Sequence, residues 1–329
     1  MPRVLLTDRP WASTDIEDRI FGEAGVTLVE PPDSKPATLA AAAAGMDAVA
    51  TCWADVTAEV IEAAAGSCRL VARTGIGLDN IDVAACTAAG IPVTNVPDYC
   101  IDEVADHTLA ALLNFARNIG HYDRAIKAGT YDVKAGPPMR RMTGQTAGVV
   151  GLGRCGQAVA HRLRAFGLRV IGWSKSGDDH GTGVEMVAWD DLLRESDYVC
   201  VHVPLTDDTR HLLDGEAFSA MKETAYLINP SRGPVIDQTA LLPALRDGVI
   251  AGAALDVWDP EPPRLDDPLL QEPTLVATPH AAFISRESLV ELRERVARQI
   301  VAALRGETPE SIVNDVAVCT DPVSGVKRA

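Results

Sequence analysis

The stretch Val149-Val150-Gly151-Leu152-Gly153-Arg154-Cys155-Gly156 limits what this chain can fold into more than any other. An apolar run, 146–150, leads into it and a helix-like run, 157–166, leaves it. Strand, turn and helix with Gly-x-Gly-x-x-Gly at the turn is the arrangement that binds a dinucleotide pyrophosphate. Gly151 permits the tight turn, Gly153 lets the backbone approach the phosphates, and Gly156 lets the helix pack on the strand. The first N–H groups of the helix and the positive end of its dipole then face the anion. Glycine is common, so the six-residue pattern alone is weak, and its flanks decide.

Those flanks alternate strand and helix. From Thr146 onward, strands are expected at 146–151, 169–174, 198–205, 225–229, 252–257 and 275–278, with helices at 157–166, 189–195, 215–222 and 239–247. Six strands match the doubly wound dinucleotide fold with both halves present. Residues 1–98 repeat the alternation on a smaller scale. Strands are expected at 3–7, 26–30, 47–51, 70–73 and 92–96, and helices at 14–24, 38–44, 58–65 and 81–89. Five units of this kind form a flavodoxin-like parallel sheet. A long amphipathic helix over 101–118 follows, with His107 read as structural within it. A last helix, 287–304, returns to complete the first domain. The expected fold is α/β, with two doubly wound parallel-sheet domains, a Rossmann dinucleotide-binding domain and a flavodoxin-like substrate domain. The boundaries are 1–98 plus 288–329 for the substrate domain and 99–287 for the nucleotide domain.

Composition excludes several classes. Lysine and arginine number 30 against 46 acids, a net charge of −16, with no basic tract, so nucleic acid is not the expected ligand. The longest apolar runs are strand-sized, so no membrane span is expected. Met1-Pro2-Arg3 runs directly into a strand, without the apolar core of an export signal. Seven scattered cysteines without a Cys-x-x-Cys pair suggest free, buried thiols in a reducing cytoplasm. No His/Cys/Asp/Glu cluster has zinc-ligand spacing, so no metal is expected.

Three charged residues follow the later strands and so lie on the carboxyl edge, where open α/β sheets bind ligands. Arg232 lies in Asn229-Pro230-Ser231-Arg232-Gly233, Glu261 follows Asp256-Val257-Trp258-Asp259-Pro260, and His280 ends Ala277-Thr278-Pro279-His280. A planar guanidinium grips a carboxylate bidentately. A histidine exchanges the carbinol proton during hydride transfer, and a carboxylate behind it fixes the tautomer. Taken singly, an arginine after a strand is usually a surface ion pair, a glutamate between prolines usually a solvated loop residue, and a lone histidine more often structural than catalytic. His121, His161, His180, His202 and His211 have weaker claims, and His202 reads as a satisfied residue of an apolar strand. Arg73-Thr74-Gly75-Ile76-Gly77-Leu78-Asp79-Asn80 leaves a strand end of the first domain. Its two glycines either free backbone N–H groups for a carboxylate or make a tight turn capped by Asp79 or Asn80. After the second nucleotide-domain strand, Ser174-Lys175 stands where an NAD site usually carries an acid about 20 residues beyond the first glycine. A hydroxyl followed by a cation favours NADP, while nearby Asp178 and Asp179 weigh against it.

Together these motifs resemble the D-isomer-specific 2-hydroxyacid dehydrogenases, a family that includes phosphoglycerate dehydrogenase, glyoxylate/hydroxypyruvate reductases and the C-terminal-binding-protein corepressors. The resemblance runs from about Arg69 to Asn314, and Thr278-Pro279-His280-Ala281-Ala282-Phe283 is closest to the corepressor-like branch. It implies an NAD(P)-dependent oxidoreductase acting on a D-2-hydroxy acid or 2-keto acid, working as a cytoplasmic homodimer through the nucleotide domain. It implies His280 as acid/base, Glu261 as its partner, and Arg232 as carboxylate and carbonyl anchor. Backbone at Ile76 and Gly77 would hold the substrate carboxylate, with Arg232 and His280. The implied cofactor contacts are Gly151, Gly153, Arg154, Cys155, Gly156, Ser174, Lys175, Val203, Pro204, Thr209, Pro230, Ser231, Asp256, His280 and Ala282. Among these, Asp256 would meet the nicotinamide carboxamide. Cys155 stands where the family often has isoleucine or valine. The family's formate dehydrogenases pair their histidine with glutamine, so Glu261 argues against formate. Two other readings remain open at this point: an NAD(H)-sensing corepressor-like binding protein, and a phosphite-type dehydrogenase.

Overall fold

The computed structural model describes residues 1–327, and the chain divides into two compact units, Met1–Tyr99 with Ser285–Ala329, and Cys100–Ile284. In the first unit β1 (Arg3–Leu6), α1 (Asp15–Ala24), β2 (Thr27–Val29), α2 (Pro36–Ala43), β3 (Ala48–Thr51), α3 (Ala58–Ala64), β4 (Val71–Arg73), α4 (Val83–Ala88) and β5 (Val93–Thr94) alternate. All strands are parallel, in the order β2-β1-β3-β4-β5, which is the flavodoxin-like order. Strand β3 is buried along its whole length, as a sheet covered by helices on both faces requires. Leu5, Leu39, Val49, Ile61, Val71 and Ile91 fill the space between sheet and helices.

The second unit opens with α5 (Ile101–Arg117) and α6 (Ile119–Lys127). It continues through β6 (Thr146–Val150), α7 (Arg154–Ala165), β7 (Arg169–Trp173), β8 (Glu185–Met186), α8 (Trp189–Glu195), β9 (Tyr198–Val201), α9 (Gly215–Ala220), β10 (Tyr226–Asn229), α10 (Gln238–Arg246), β11 (Gly252–Leu255) and β12 (Leu275–Ala277). The sheet order is β12-β11-β10-β9-β6-β7-β8, so the strand order reverses between β6 and β9. Cores lie on both faces of this sheet: Phe218, Leu227, Leu241 and Leu255 on one, Leu112, Leu152, Leu163 and Ile228 on the other. The final helix, α11 (Arg286–Leu304), belongs to the first unit. Ser285 and Ser288 form a reciprocal capping box at its start. Arg293 joins it to α1 through Glu17 at 2.6 Å and Asp15 at 2.8 Å.

Several expectations from the sequence need correction. The second sheet has seven strands rather than six, because the two-residue β8 is too short to carry a periodic signal. Helix α6 was not anticipated, since Asn118 at φ 50° breaks the long helix and a second one starts immediately. The strand expected over 198–205 ends at Val201, and His202 begins a loop. The seven thiols are free, but Cys155 is only half-buried and Cys319 is exposed. No helix of the described residues is long and apolar enough to cross a membrane.

Candidate active site

The glycine turn joins β6 to α7 beside the reversal of strand order, and its three glycines do different work. Gly151 has φ +93°, and a Cβ there would lie 2.6 Å from the His202 carbonyl oxygen. A Cβ on Gly156 would stand 2.0 Å from the Gly151 carbonyl oxygen, so the turn and the helix approach at a distance only glycine allows. Gly153 is different, because its φ of −65° and ψ of −172° suit any residue and a Cβ would meet nothing within 4 Å. No side chain of the described residues caps α7 at this end. The result is an open space in front of the N–H groups of a 12-residue helix, with Arg154 exposed and Cys155 half-buried on its first turn. This donor set fits a pyrophosphate. Burial pushes the Cys155 thiol up from its ordinary range, which keeps it protonated and uncharged next to an anion.

Strands β10, β11 and β12 end level with one another, because Asn229 pairs with Leu255 and Leu255 with Ala277. Arg232, Glu261 and His280 therefore leave three neighbouring strands on the same edge as the glycine turn. The Asn229 side chain shapes the arginine turn: its Oδ1 accepts from the Ser231 N–H at 3.0 Å and hydroxyl at 2.7 Å, and its Nδ2 donates to the Arg232 carbonyl at 2.9 Å. Gly233 lets this turn pass the Trp258 backbone, where a Cβ would fall 2.0 Å from a carbonyl oxygen. His280 Nδ1 lies 2.6 Å from Glu261 Oε1. That is charge-assisted hydrogen-bond length, and it fixes both the plane of the ring and its tautomer. Phe283 meets the His280 ring edge-on at 5.8 Å between centroids.

His280 has φ 54°, a left-handed conformation that costs a non-glycine residue about 1–3 kcal/mol and is held here by its neighbours. Asp256 imposes it. The Asp256 carbonyl accepts from the His280 N–H at 2.7 Å, Oδ1 from the Ala281 N–H at 2.9 Å, and Oδ2 from the Ala282 N–H at 2.8 Å. The Thr278 hydroxyl donates to Oδ1 at 2.5 Å, and Asp256 is buried beneath the turn. His107 on α5 completes the group, with Nε2 at 3.2 Å from the Thr278 hydroxyl and 3.7 Å from Asp256 Oδ1. His107, expected to be structural within its helix, thus also meets the strand-end group. The helical pattern reports which face is apolar, not that a polar position meets a turn far along the chain.

On the other side of the strand reversal, Ser174 follows β7 with its hydroxyl 3.3 Å from that of Ser176, and Lys175 pairs with Asp208. Lys175 is thus engaged by a carboxylate from a distant loop, a pairing that local sequence does not signal. The loop after β9, which carries Val203 and Pro204, is tied by Thr209, whose hydroxyl donates to the Pro204 carbonyl at 2.6 Å and accepts from the Thr206 N–H at 2.8 Å. His202 is not the satisfied residue expected: its Nε2 is buried without a hydrogen-bond partner among the described residues, and burial pushes its pKa down to about 4.

In the first unit, the Gly75–Gly77 loop leaves β4. The Gly75 carbonyl accepts from the Val96 N–H at 3.0 Å and the Ile76 carbonyl from Asn95 Nδ2 at 2.8 Å. In a trans peptide the N–H points opposite to the carbonyl, so these two bonds turn the N–H groups of Ile76 and Gly77 away from Val96 and Asn95. Gly75 has φ 151°, and a Cβ would press to 2.7 Å on the buried Arg73 guanidinium. Asn80 ties the far end of the loop by donating to the Ala54 carbonyl at 2.9 Å.

The chain is similar to proteins of known family and fold. Residues 109–282 match the model of the D-isomer specific 2-hydroxyacid dehydrogenase, NAD binding domain. A glyoxylate reductase from Korarchaeum cryptofilum is 43% identical over 273 residues, covering 81% of this chain and 82% of that protein. An NAD-dependent formate dehydrogenase from Staphylococcus aureus, solved in complex with NAD, superposes with a TM-score of 0.86 at 27% identity, covering 95% of this chain and 99% of that one. An acyclic imino acid reductase, solved with NADPH and D-Arg, gives a TM-score of 0.85 at 25% identity, covering 95% and 100%.

Proposed function

We propose, for a chain that belongs to the D-isomer specific 2-hydroxyacid dehydrogenase family, that His280 is the acid/base of its reaction, Glu261 the group that sets the histidine, and Arg232 the substrate anchor. The reaction is hydride transfer between a nicotinamide cofactor and a 2-hydroxy acid or the corresponding 2-keto acid. The observation that carries the residue assignment is the 2.6 Å contact between His280 Nδ1 and Glu261 Oε1.

When bound, the dinucleotide supplies or takes up the hydride. In the reductive direction the keto oxygen gains a proton, and His280 delivers it. With Nδ1 committed to Glu261, the exchange falls to Nε2. In the oxidative direction His280 takes the carbinol proton, and the Glu261 carboxylate stabilises the imidazolium that forms. Arg232 binds the substrate carboxylate and polarises the carbonyl with its planar donor fork. The N–H groups of Ile76 and Gly77, which the loop's own hydrogen bonds turn outward, are assigned to a substrate carboxylate. Gly151, Gly153, Arg154, Cys155 and Gly156 would hold the pyrophosphate, and Val203, Pro204, Thr209, Pro230, Ser231 and Ala282 would flank the dinucleotide. Asp256 would meet the nicotinamide carboxamide.

The cofactor leans to NADP, because Ser174 offers the ribose a hydroxyl where a carboxylate would repel a 2′-phosphate. Lys175 contributes only by leaving Asp208. The protein works as a homodimer through the second unit, where Ile119, Ile126, Tyr131, Val133 and Met139 form an exposed apolar run on α6 and the segment after it. Free thiols without a disulfide fit a reducing cytoplasm.

Steady-state rates with NADH and NADPH across glyoxylate, hydroxypyruvate, phenylpyruvate and branched 2-keto acids test the assignment. His280→Ala is expected to lower kcat by about 10²–10⁴-fold while cofactor binding, followed by NAD(P)H fluorescence, persists. An alanine variant with wild-type turnover overturns the role of His280. A wild-type protein that binds NAD(H) tightly and reduces none of these acids overturns the enzyme reading in favour of a cofactor sensor.

A further inference from the structure

Behind the His280 turn lies a second imidazole, which the hydride-transfer scheme does not use. His107 sits on α5, far from His280 in sequence, with Nε2 at 3.2 Å from the Thr278 hydroxyl and 3.7 Å from Asp256 Oδ1. Proton counting fixes the direction of each bond. The Thr278 hydroxyl has one proton, and Asp256 Oδ1 takes it at 2.5 Å, while the same oxygen accepts the Ala281 N–H. The Thr278 oxygen is therefore the acceptor toward His107, and Nε2 is the nitrogen that carries the hydrogen. One direction of donation runs through the group, from His107 to Thr278 to Asp256. The Asp256 oxygens in turn receive the N–H groups of Ala281 and Ala282. A further tie holds the same strand end, since Trp258 Nε1 donates to the Thr278 carbonyl at 3.0 Å.

We propose that His107 is a positioning residue: by occupying the acceptor side of Thr278 it locks the hydroxyl rotor onto Asp256, and so holds the turn that keeps His280 at φ 54°. His107 touches neither Glu261 nor the reacting atoms in this scheme. Without it, the Thr278 hydroxyl can swing to other acceptors, Asp256 Oδ1 loses its shortest partner, and the left-handed turn is held less firmly. A displacement of the acid/base by about 1 Å costs up to about 100-fold in rate even when the mutation lies away from the chemistry.

This inference rests on His280 being the acid/base, and the test separates the two. Three single variants and one double variant are needed: His107→Leu removes the donor, His107→Gln replaces Nε2–H with an amide N–H at similar reach, and Thr278→Val removes the relay while keeping the shape. His107→Leu and Thr278→Val are each expected to lower kcat by about 10-fold or more, with KM for the 2-keto acid changed by less than about threefold. His107→Gln should recover most of the loss. The double variant His107→Leu/Thr278→Val should be no worse than the poorer single one, because both cut the same chain. Two readouts do not depend on turnover. In the wild type, NMR of labelled histidine should place the His107 hydrogen on Nε2, and the amide hydrogens of Ala281 and Ala282 should exchange faster with solvent in His107→Leu than in the wild type. Wild-type kcat in His107→Leu, no rescue by glutamine, a His107 Nδ1–H tautomer, or unchanged exchange at Ala281 and Ala282 each overturns the proposal. If no 2-keto acid is turned over, the acid/base reading of His280 fails, and the tautomer and exchange results still decide whether His107 holds the turn.

Discussion

Gly153→Ala separates cofactor binding from folding at the glycine turn. At Gly153 the backbone is extended with negative φ, and a Cβ meets no protein atom within 4 Å. The folded protein thus accepts the methyl without strain, and the unfolded chain loses some freedom, so stability should stay within about 0.5 kcal/mol or rise slightly. The space the methyl enters is the one in front of α7, where a pyrophosphate would approach the first N–H groups. Pushing the phosphate back removes about one charge-assisted hydrogen bond, worth about 1.5–3 kcal/mol, or about 10- to 100-fold in Kd. NAD(P)H fluorescence titration and thermal melting of the apoprotein, run on one preparation, read both quantities. Gly156→Ala is the contrast: its Cβ would fall 2.0 Å from the Gly151 carbonyl oxygen, so that variant should lose stability along with binding. If Gly153→Ala binds the cofactor within about threefold of wild type, or melts as early as Gly156→Ala, the assignment of that open space to a pyrophosphate is wrong.

Other expectations follow from single groups. His202 is kept neutral in the fold, with its pKa pushed down to about 4, while the unfolded imidazole titrates near its ordinary 6.5. Between those values the unfolded chain binds a proton that the folded one does not, so stability falls as pH drops from about 6.5 toward 4, by up to about 3 kcal/mol. Urea midpoints should therefore separate between pH 7 and pH 5 in the wild type and converge in His202→Leu; equal shifts in both would remove His202 as the cause. Ser174→Asp should lower the ratio of kcat/KM for NADPH over NADH by about 10-fold or more through repulsion of the 2′-phosphate, and an unchanged ratio would place cofactor choice elsewhere. Ile126→Asp combined with Val133→Asp should convert a dimer to a monomer by light scattering without lowering the melting temperature of the second unit. A dimer that survives both charges is built on another surface.

Much of the fold was legible in local pattern. The alternation of apolar strands with amphipathic helices specified two parallel sheets, because that pattern buries both faces of a sheet and demands crossover helices. It missed β8, whose two residues hold no period, and it carried β9 four residues too far, because Val203 and Leu205 continue the apolar alternation after the strand has ended at Val201. Among the candidate residues, Arg232, Glu261 and His280 stood out because each follows a strand, and ends of parallel strands share one edge. Lys175 was legible as a cation but not as the partner of Asp208, since that pairing joins two loops.

Sequence by itself determined the glycine turn, the succession of elements and the types of group at the strand ends, all of which depend on neighbours a few residues apart. Tertiary structure alone decided which of those groups meet. The 2.6 Å contact of His280 with Glu261 depends on the register of β11 and β12. The group of His107, Thr278 and Asp256 depends on where α5 packs beside those strands. That His202 Nε2 is buried without a hydrogen-bond partner among the described residues is likewise a product of packing. Spacing along a chain sets which face a side chain takes, whereas hydrogen bonds form or fail on tenths of an ångström that only packing fixes.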